Sequence, residues 1–178
     1  MDDQVLVTRA AEGDATAFEL IVRRHAGDLF RLARSVLADD QLAEEAVQDS
    51  FVKAHRNLTT FRGDASLRTW LSSICYRTAL DGARRRPGNV VPIDAARPDP
   101  RPHPDVELRL CLQEALGELP PDEREAFQLV HVLGYPREEA ARIVGVPAST
   151  MRSRVARARE RLALSLRTLE DSVTGGST

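Results

Sequence analysis

Residues 149–162 read STMRSRVARARERL, and the rest of the chain is best read outward from them. Met151, Val155, Ala158 and Leu162 recur at steps of four, three and four, the spacing of one helical face. Arginines at 152, 154, 157, 159 and 161, with Arg167 just beyond, stand against a single acid, Glu160. Burying the apolar stripe presents Arg152, Ser153 and Arg157 to solvent. Just upstream, residues 137–146 predict a short helix with Ala140 and Ala141 small enough for close packing. Gly145 breaks it, Val146 plugs the turn, and a second helix begins near 147–149. That is helix-turn-helix form. An arginine can meet guanine O6 and N7 together in the major groove, and the free N–H groups of a helix start can receive a phosphate. The bland alternative is a solvated amphipathic helix. The arginines lack acidic partners four residues away on their own helix, and a formed turn precedes them, so duplex DNA is the favoured ligand.

Size and composition bound what surrounds this helix. The chain has 178 residues, is 42% hydrophobic and only 4% aromatic, so its cores consist mostly of Leu, Val, Ile and Ala, which favours helix over sheet. No sustained two-residue alternation appears. Net charge is −2, so partners follow from where charge is placed and not from its sum. Acids gather at Asp39, Asp40, Glu44, Glu45 and Asp49; arginines gather at 84–86 and 152–161. Cys75 and Cys111 lie far apart without a CxxC, which argues for buried thiols and against a disulfide framework or zinc site. There is no apolar run of transmembrane length, and the start, MDDQVLV, lacks a signal-peptide pattern; a cytoplasmic protein without membrane insertion is expected. His25, His55, His103 and His131 are scattered, and neither HExxH nor a phosphate-cradling glycine loop is present. No catalytic residues, metal or cofactor are therefore expected. His25 falls in an apolar stripe and reads as a core histidine.

The clearest break is RRRPGNVVPIDAARPDPRPHPD, 84–105, where prolines at 87, 92, 98, 100, 102 and 104 deny regular helix. An extended tether of about 19 residues at ~3.1 Å each reaches roughly 55–60 Å, about one and a half turns of duplex. Ahead of it, Phe18, Val22, His25, Leu29, Leu32 and Val36 mark one helix with Asp14 as its cap. Ala43, Val47, Phe51, Ala54 and Leu58 mark a second. TTFRGDAS, 59–66, interrupts, and Leu67, Leu71, Ile74 and Leu80 mark a third. Beyond the tether, 106–119 reads as helix until Pro120 and Pro121. A further helix starts at Pro121 and ends at Gly134. The expected fold is all-α: two small helical domains, 1–86 and 106–170, joined by an extended proline-rich linker, 87–105, with a disordered tail, 171–178.

AEEAVQDSFVKAHRNLTTFRGDASLRTWLSSICYRTALDGARRR, 43–86, resembles region 2 of the extracytoplasmic-function sigma factors of bacterial RNA polymerase. LGELPPDEREAFQLVHVLGYPREEAARIVGVPASTMRSRVARARERL, 116–162, resembles their region 4. The likeness covers roughly residues 5 to 167, in the family's order. It implies an alternative sigma factor that binds core RNA polymerase and directs promoter-specific initiation, reading the −35 element as duplex and the −10 element as melted single strand. By that resemblance, Gln48, Asp49, Val52 and Arg56 meet the clamp of the polymerase's largest subunit, while region 4 sits near the flap. Phe61, Arg62, Gly63, Asp64, Ser66, Arg68, Thr69 and Trp70 hold −10 bases, with Phe61 and Trp70 equally open to a core role. Arg77, Arg84, Arg85 and Arg86 reach phosphates. Arg152, Ser153 and Arg157 match base-facing positions, and Arg154, Arg159 and Arg161 fit phosphate or packing roles. Pro147 departs from the family's usual capping Ser or Thr, so Ser149 or Thr150 takes over that end. An anti-sigma factor is an implied partner. A free-standing helix-turn-helix regulator would share the C-terminal argument but leave FRGDASLRTW unexplained.

Overall fold

The computed structural model describes residues 2–37, 39–85 and 114–174, all helical where regular. The N-terminal half holds α1 (Asp3–Ala11), α2 (Ala15–Leu37), α3 (Asp40–Arg56), a 3₁₀ turn (Leu58–Thr60) and α4 (Leu67–Arg85). The C-terminal half opens with helical residues 114–118. α5 (Pro121–Phe127) follows and runs into a π turn (Gln128–Val132), then α6 (Arg137–Val144) and α7 (Ala148–Thr174). The linker 87–105, Arg86, His103, Cys111 and residues 106–113 of the expected helix lie outside the described residues. α7 continues to Thr174, so 171–174, expected as tail, are helical; 175–178 lie outside the described residues.

Local chemistry accounts for the helix ends. Asp14 Oδ1 accepts from Ala17 N at 3.1 Å, and Asp39 Oδ1 from Leu42 N at 2.8 Å, each satisfying a first-turn donor. Pro121 opens α5, where its missing N–H costs nothing. Gly145 closes α6 at φ +82°, and its N–H and that of Val146 both return to Ala141 O. A Cβ there would meet nothing within 4 Å, so backbone conformation and not space demands glycine.

α2 is the spine of the first half. It packs against α1, α3 and α4, and α3 also packs on α4. Its buried face comprises Ala17, Ile21, His25, Leu29, Leu32, Ala33 and Leu37. The face lies slightly aside from the expected stripe: Phe18, Val22 and Val36 are half-buried at its edge. Phe18 meets the α3 rings edge-on, 4.7 Å from His55 and 6.5 Å from Phe51. α1 covers α2 with Leu6, Val7 and Ala10. His25 is a core histidine, and burial, ahead of its charged neighbours, lowers its pKa; Asp3 Oδ2 lies 3.3 Å from its Nε2. Cys75 is fully buried, its thiol pushed up to about 11 by desolvation.

The two halves are not independent bodies joined only through the tether. α6 packs on α4, and Ala126, Leu129, Tyr135, Ala140, Ala141, Ile143, Met151 and Val155 share one apolar cluster with Leu29, Leu71 and Cys75. A second small cluster, Ala115, Leu119, Ala158 and Leu162, anchors residues 114–119 along α7.

Candidate nucleic-acid interface

α7 starts at Ala148 with Pro147 just before it, whose carbonyl accepts from Met151 N at 3.1 Å. The stripe Met151, Val155, Ala158 and Leu162 is buried as the spacing required. Ser149, Arg152, Ser153, Arg157 and Arg159 are exposed, Thr150 half-buried, and Ser153 Oγ donates to Ser149 O at 3.0 Å. The arginines have acidic partners after all, supplied by the neighbouring helix and not by α7. Arg154 Nε lies 3.2 Å from Asp122 Oδ2, and its Nη1 4.0 Å from Glu125 Oε2. Glu123 faces both Arg157 Nε at 3.1 Å and Arg161 Nε at 2.9 Å. These three arginines occupy the flank of α7 that faces α5. Arg152 and Arg159 project from the other flank and make no ion pair among the described residues.

The loop before α4 forms a second feature. Gly63 turns it at φ +79°. Ser66 Oγ accepts from Thr69 N at 3.2 Å and so caps α4. Phe61 and Trp70 meet with their rings tilted by 56° and 5.5 Å between centroids, both half-buried. With Arg62, Asp64, Thr69 and Arg142 they line a cavity of about 180 Å³. Arg62, Gly63 and Asp64 are exposed at its rim, and Ser66 is exposed in the same loop. Arg68 and Thr69 are placed differently, inside the seam with the C-terminal half. Thr69 Oγ1 donates to Glu139 Oε2 at 2.5 Å. Arg68 pairs with Asp28 at 2.7 Å, donates to Leu133 O at 3.3 Å, and lies 4.1 Å over the Tyr135 ring. Burial alone would raise the Asp28 carboxyl, but Arg31 and Arg68 together hold it below its ordinary value. Ser72 Oγ and Tyr135 OH meet at 2.8 Å, Tyr76 OH donates to Glu125, and Arg142 Nη1 donates to Asp64 O at 3.1 Å. Desolvation raises both Tyr76 and Glu125. Arg77, Arg84 and Arg85 are exposed along α4, Arg84 3.8 Å from Asp81.

On α3, Gln48, Asp49, Val52 and Arg56 all face solvent, opposite the buried Ala43, Val47, Phe51 and Ala54. Val52 is 49% exposed, an apolar group in the middle of a polar face. Sequence reasoning passed over Asp28, Glu123, Glu125, Tyr135, Glu139 and Arg142. Each acquires a partner from a distant segment, which no local signal marks; Asp28 also pairs with Arg31, three residues on. Among the described residues, no His, Cys, Asp and Glu converge as metal ligands, and no helix is long and apolar enough to cross a membrane.

Two segments match described families: residues 21–87 match Sigma-70 region 2, and residues 109–162 match Sigma-70, region 4. The chain is 37% identical over 162 residues to the ECF RNA polymerase sigma factor SigM of Mycobacterium tuberculosis, covering 90% of this chain and 83% of that protein. Among solved structures it resembles CnrH in complex with the cytosolic domain of CnrY, at 30% identity and a TM-score of 0.70, covering 93% of this chain and 97% of that one. It also resembles the sigma factor RpoE in complex with the anti-sigma factor NepR from Bartonella quintana, at 30% identity and a TM-score of 0.66, covering 84% and 96%. The chain belongs to the sigma-70 family, in its extracytoplasmic-function branch. It is a sigma factor, a helix-turn-helix DNA-binding protein of transcription initiation.

Proposed function

We propose that the two halves, residues 1–86 and 106–170, divide promoter reading between them. α7 enters the major groove of a duplex −35 element, with Arg152, Ser153 and Arg157 toward base edges and Ser149, Thr150, Arg154 and Arg159 along the backbone. The loop 61–70 takes bases of a melted −10 strand, stacking them at Phe61 and Trp70, while Arg77, Arg84 and Arg85 follow the phosphates. Gln48, Asp49, Val52 and Arg56 dock on the polymerase, and the protein works in the cytoplasm with that enzyme. The transcription chemistry is the polymerase's; this chain places the DNA. The observation that carries the reading is the split of α7: its apolar stripe is buried while Arg152, Ser153 and Arg157 of the same turns stand in solvent.

The seam adds a condition. Glu139 occupies Thr69, and Arg142 crosses to Asp64 at the cavity that would take a base. α6 must leave α4 before a strand can reach Thr69. Docking on polymerase, which would hold the halves on separated elements, supplies that opening and joins two weak contacts into one avid one. An anti-sigma factor would act in the opposite sense; the CnrH and RpoE structures were each solved with a second protein bound, CnrY and the anti-sigma factor NepR. Run-off transcription with core polymerase and a randomised promoter library tests the proposal. Selected templates should carry two separated elements; loss of selection at the upstream element alone with Arg152→Ala is expected. Transcription without any start-site choice would refute it.

A further inference from the structure

Glu123 lies in the first turn of α5, three residues beyond Pro120, whose carbonyl accepts its N–H at 3.0 Å. It is only 4% exposed, and a carboxylate so placed is costly unless paired. Its partners are two arginines of the DNA-facing helix, Arg157 at Oε1 and Arg161 at Oε2. Both contacts are ion pairs off the line of a hydrogen bond, and Oε2 has no aimed donor. The side chains of Arg157 and Arg161 nonetheless stay 54% and 58% exposed. The acid therefore holds the roots of two guanidinium groups whose tips remain in solvent.

A guanidinium carries five N–H donors in one plane. In both arginines the nearest contact to Glu123 is through Nε, on the inner edge of the fork. Engaging that edge leaves the outer edge, formed by the two terminal nitrogens, to meet a pair of acceptors side by side, as on guanine. A free arginine swings to whichever phosphate is nearest; a held one offers one edge in one direction. The carboxylate itself repels phosphates, so it lowers affinity for DNA of any sequence. We propose that Glu123 is a positioning residue that fixes sequence discrimination at the −35 element: it holds Arg157 toward one base pair at the expense of general DNA affinity. This rests on the reading of α7 given above.

The two effects have opposite signs, which separates positioning from simple packing. The full chain, assembled with core polymerase, is titrated with duplexes bearing its own selected −35 sequence, each single-pair variant of it, and a scrambled control. With Glu123→Gln, which keeps shape, discrimination at one base pair should fall about tenfold. Binding to the scrambled duplex should rise, and the log–log salt slope should steepen by about one phosphate contact. Arg157→Ala should lose discrimination at the same pair, and adding Glu123→Gln to it should change that pair no further. Glu123→Asp keeps the charge but draws it back by one methylene; it should lose discrimination at that pair without the rise in scrambled binding. This second variant carries the test should Glu123→Gln not fold. Uniform weakening on selected and scrambled duplexes alike, or unchanged discrimination with either variant, overturns the inference. If Arg157→Ala moves discrimination and the Glu123 variants do not, Glu123 alone has been misread. If Arg157→Ala itself moves no base pair, the reading of α7 fails and this inference with it.

Discussion

Tyr135→Phe removes one oxygen from the middle of the seam. Tyr135 is 2% exposed, and its hydroxyl meets that of Ser72, itself 0% exposed, at 2.8 Å. The phenyl ring keeps its place beneath the Arg68 guanidinium, so the cation–ring contact survives. What is lost is the hydrogen bond, and the Ser72 hydroxyl is left buried without that partner at a cost of about 1–3 kcal/mol. The bond joins α4 to the turn before α6, so the loss falls on the contact between the halves and leaves each half's own packing intact. At about 1.4 kcal/mol per tenfold, the open population rises by roughly 5- to 150-fold. When the binding-competent state is scarce, affinity scales with its population. The free protein should therefore bind single-stranded −10 DNA tighter by up to the same factor. Trp70 is the chain's single tryptophan and lines the cavity that Arg142 also lines, so its fluorescence reports base stacking directly. A strand titrated against wild type and Tyr135→Phe gives both affinities in the absence of polymerase. Unchanged strand affinity together with a stability loss of the same 1–3 kcal/mol would show that the seam is simply part of the fold and gates nothing.

Three other outcomes are expected. Glu125 is raised chiefly by burial, so the folded state holds its proton more tightly than the unfolded chain; this contribution is present below the ordinary carboxylate range and is lost as pH rises through the raised value. Glu125→Gln should flatten that part of the stability–pH curve in urea unfolding, and an unaltered slope would contradict the assignment. Arg152→Ala should weaken −35-dependent initiation by about 1–3 kcal/mol, read as a shift in holoenzyme affinity for the upstream duplex, with protein stability within about 0.5 kcal/mol of wild type. Val52→Asp places a charge in the exposed α3 face; core polymerase should bind it less well in a pull-down titration while the melting temperature holds, and equal polymerase affinity would remove that face from the docking surface.

Much of the architecture was legible because it is local. The α7 stripe, the Asp14 cap, Pro121 at a helix start and Gly145 at a helix end all follow from residues within about four positions of one another. The exposed α3 face followed from the same periodicity. α1 was not picked out, because nine residues with three buried apolar positions leave little periodic signal. The α2 face was displaced because several helices pack on that spine, so its buried sector is wider than a single stripe and shifted aside from the one the periodicity marked.

From its sequence alone this protein has most of its helices, several of their ends, the α7 stripe and a basic helix behind a turn, because hydrogen bonding to the fourth neighbour and burial of one face are decided by adjacent residues. Only the tertiary structure decides which acids face the arginines and what covers the loop. Ser72 and Tyr135 are 63 positions apart, and Thr69 and Glu139 are 70 apart. Glu123 reaches Arg157 and Arg161 from another helix. Such pairs depend on how whole helices are oriented against one another, and residue spacing along one helix carries no record of the flank that its neighbour will occupy.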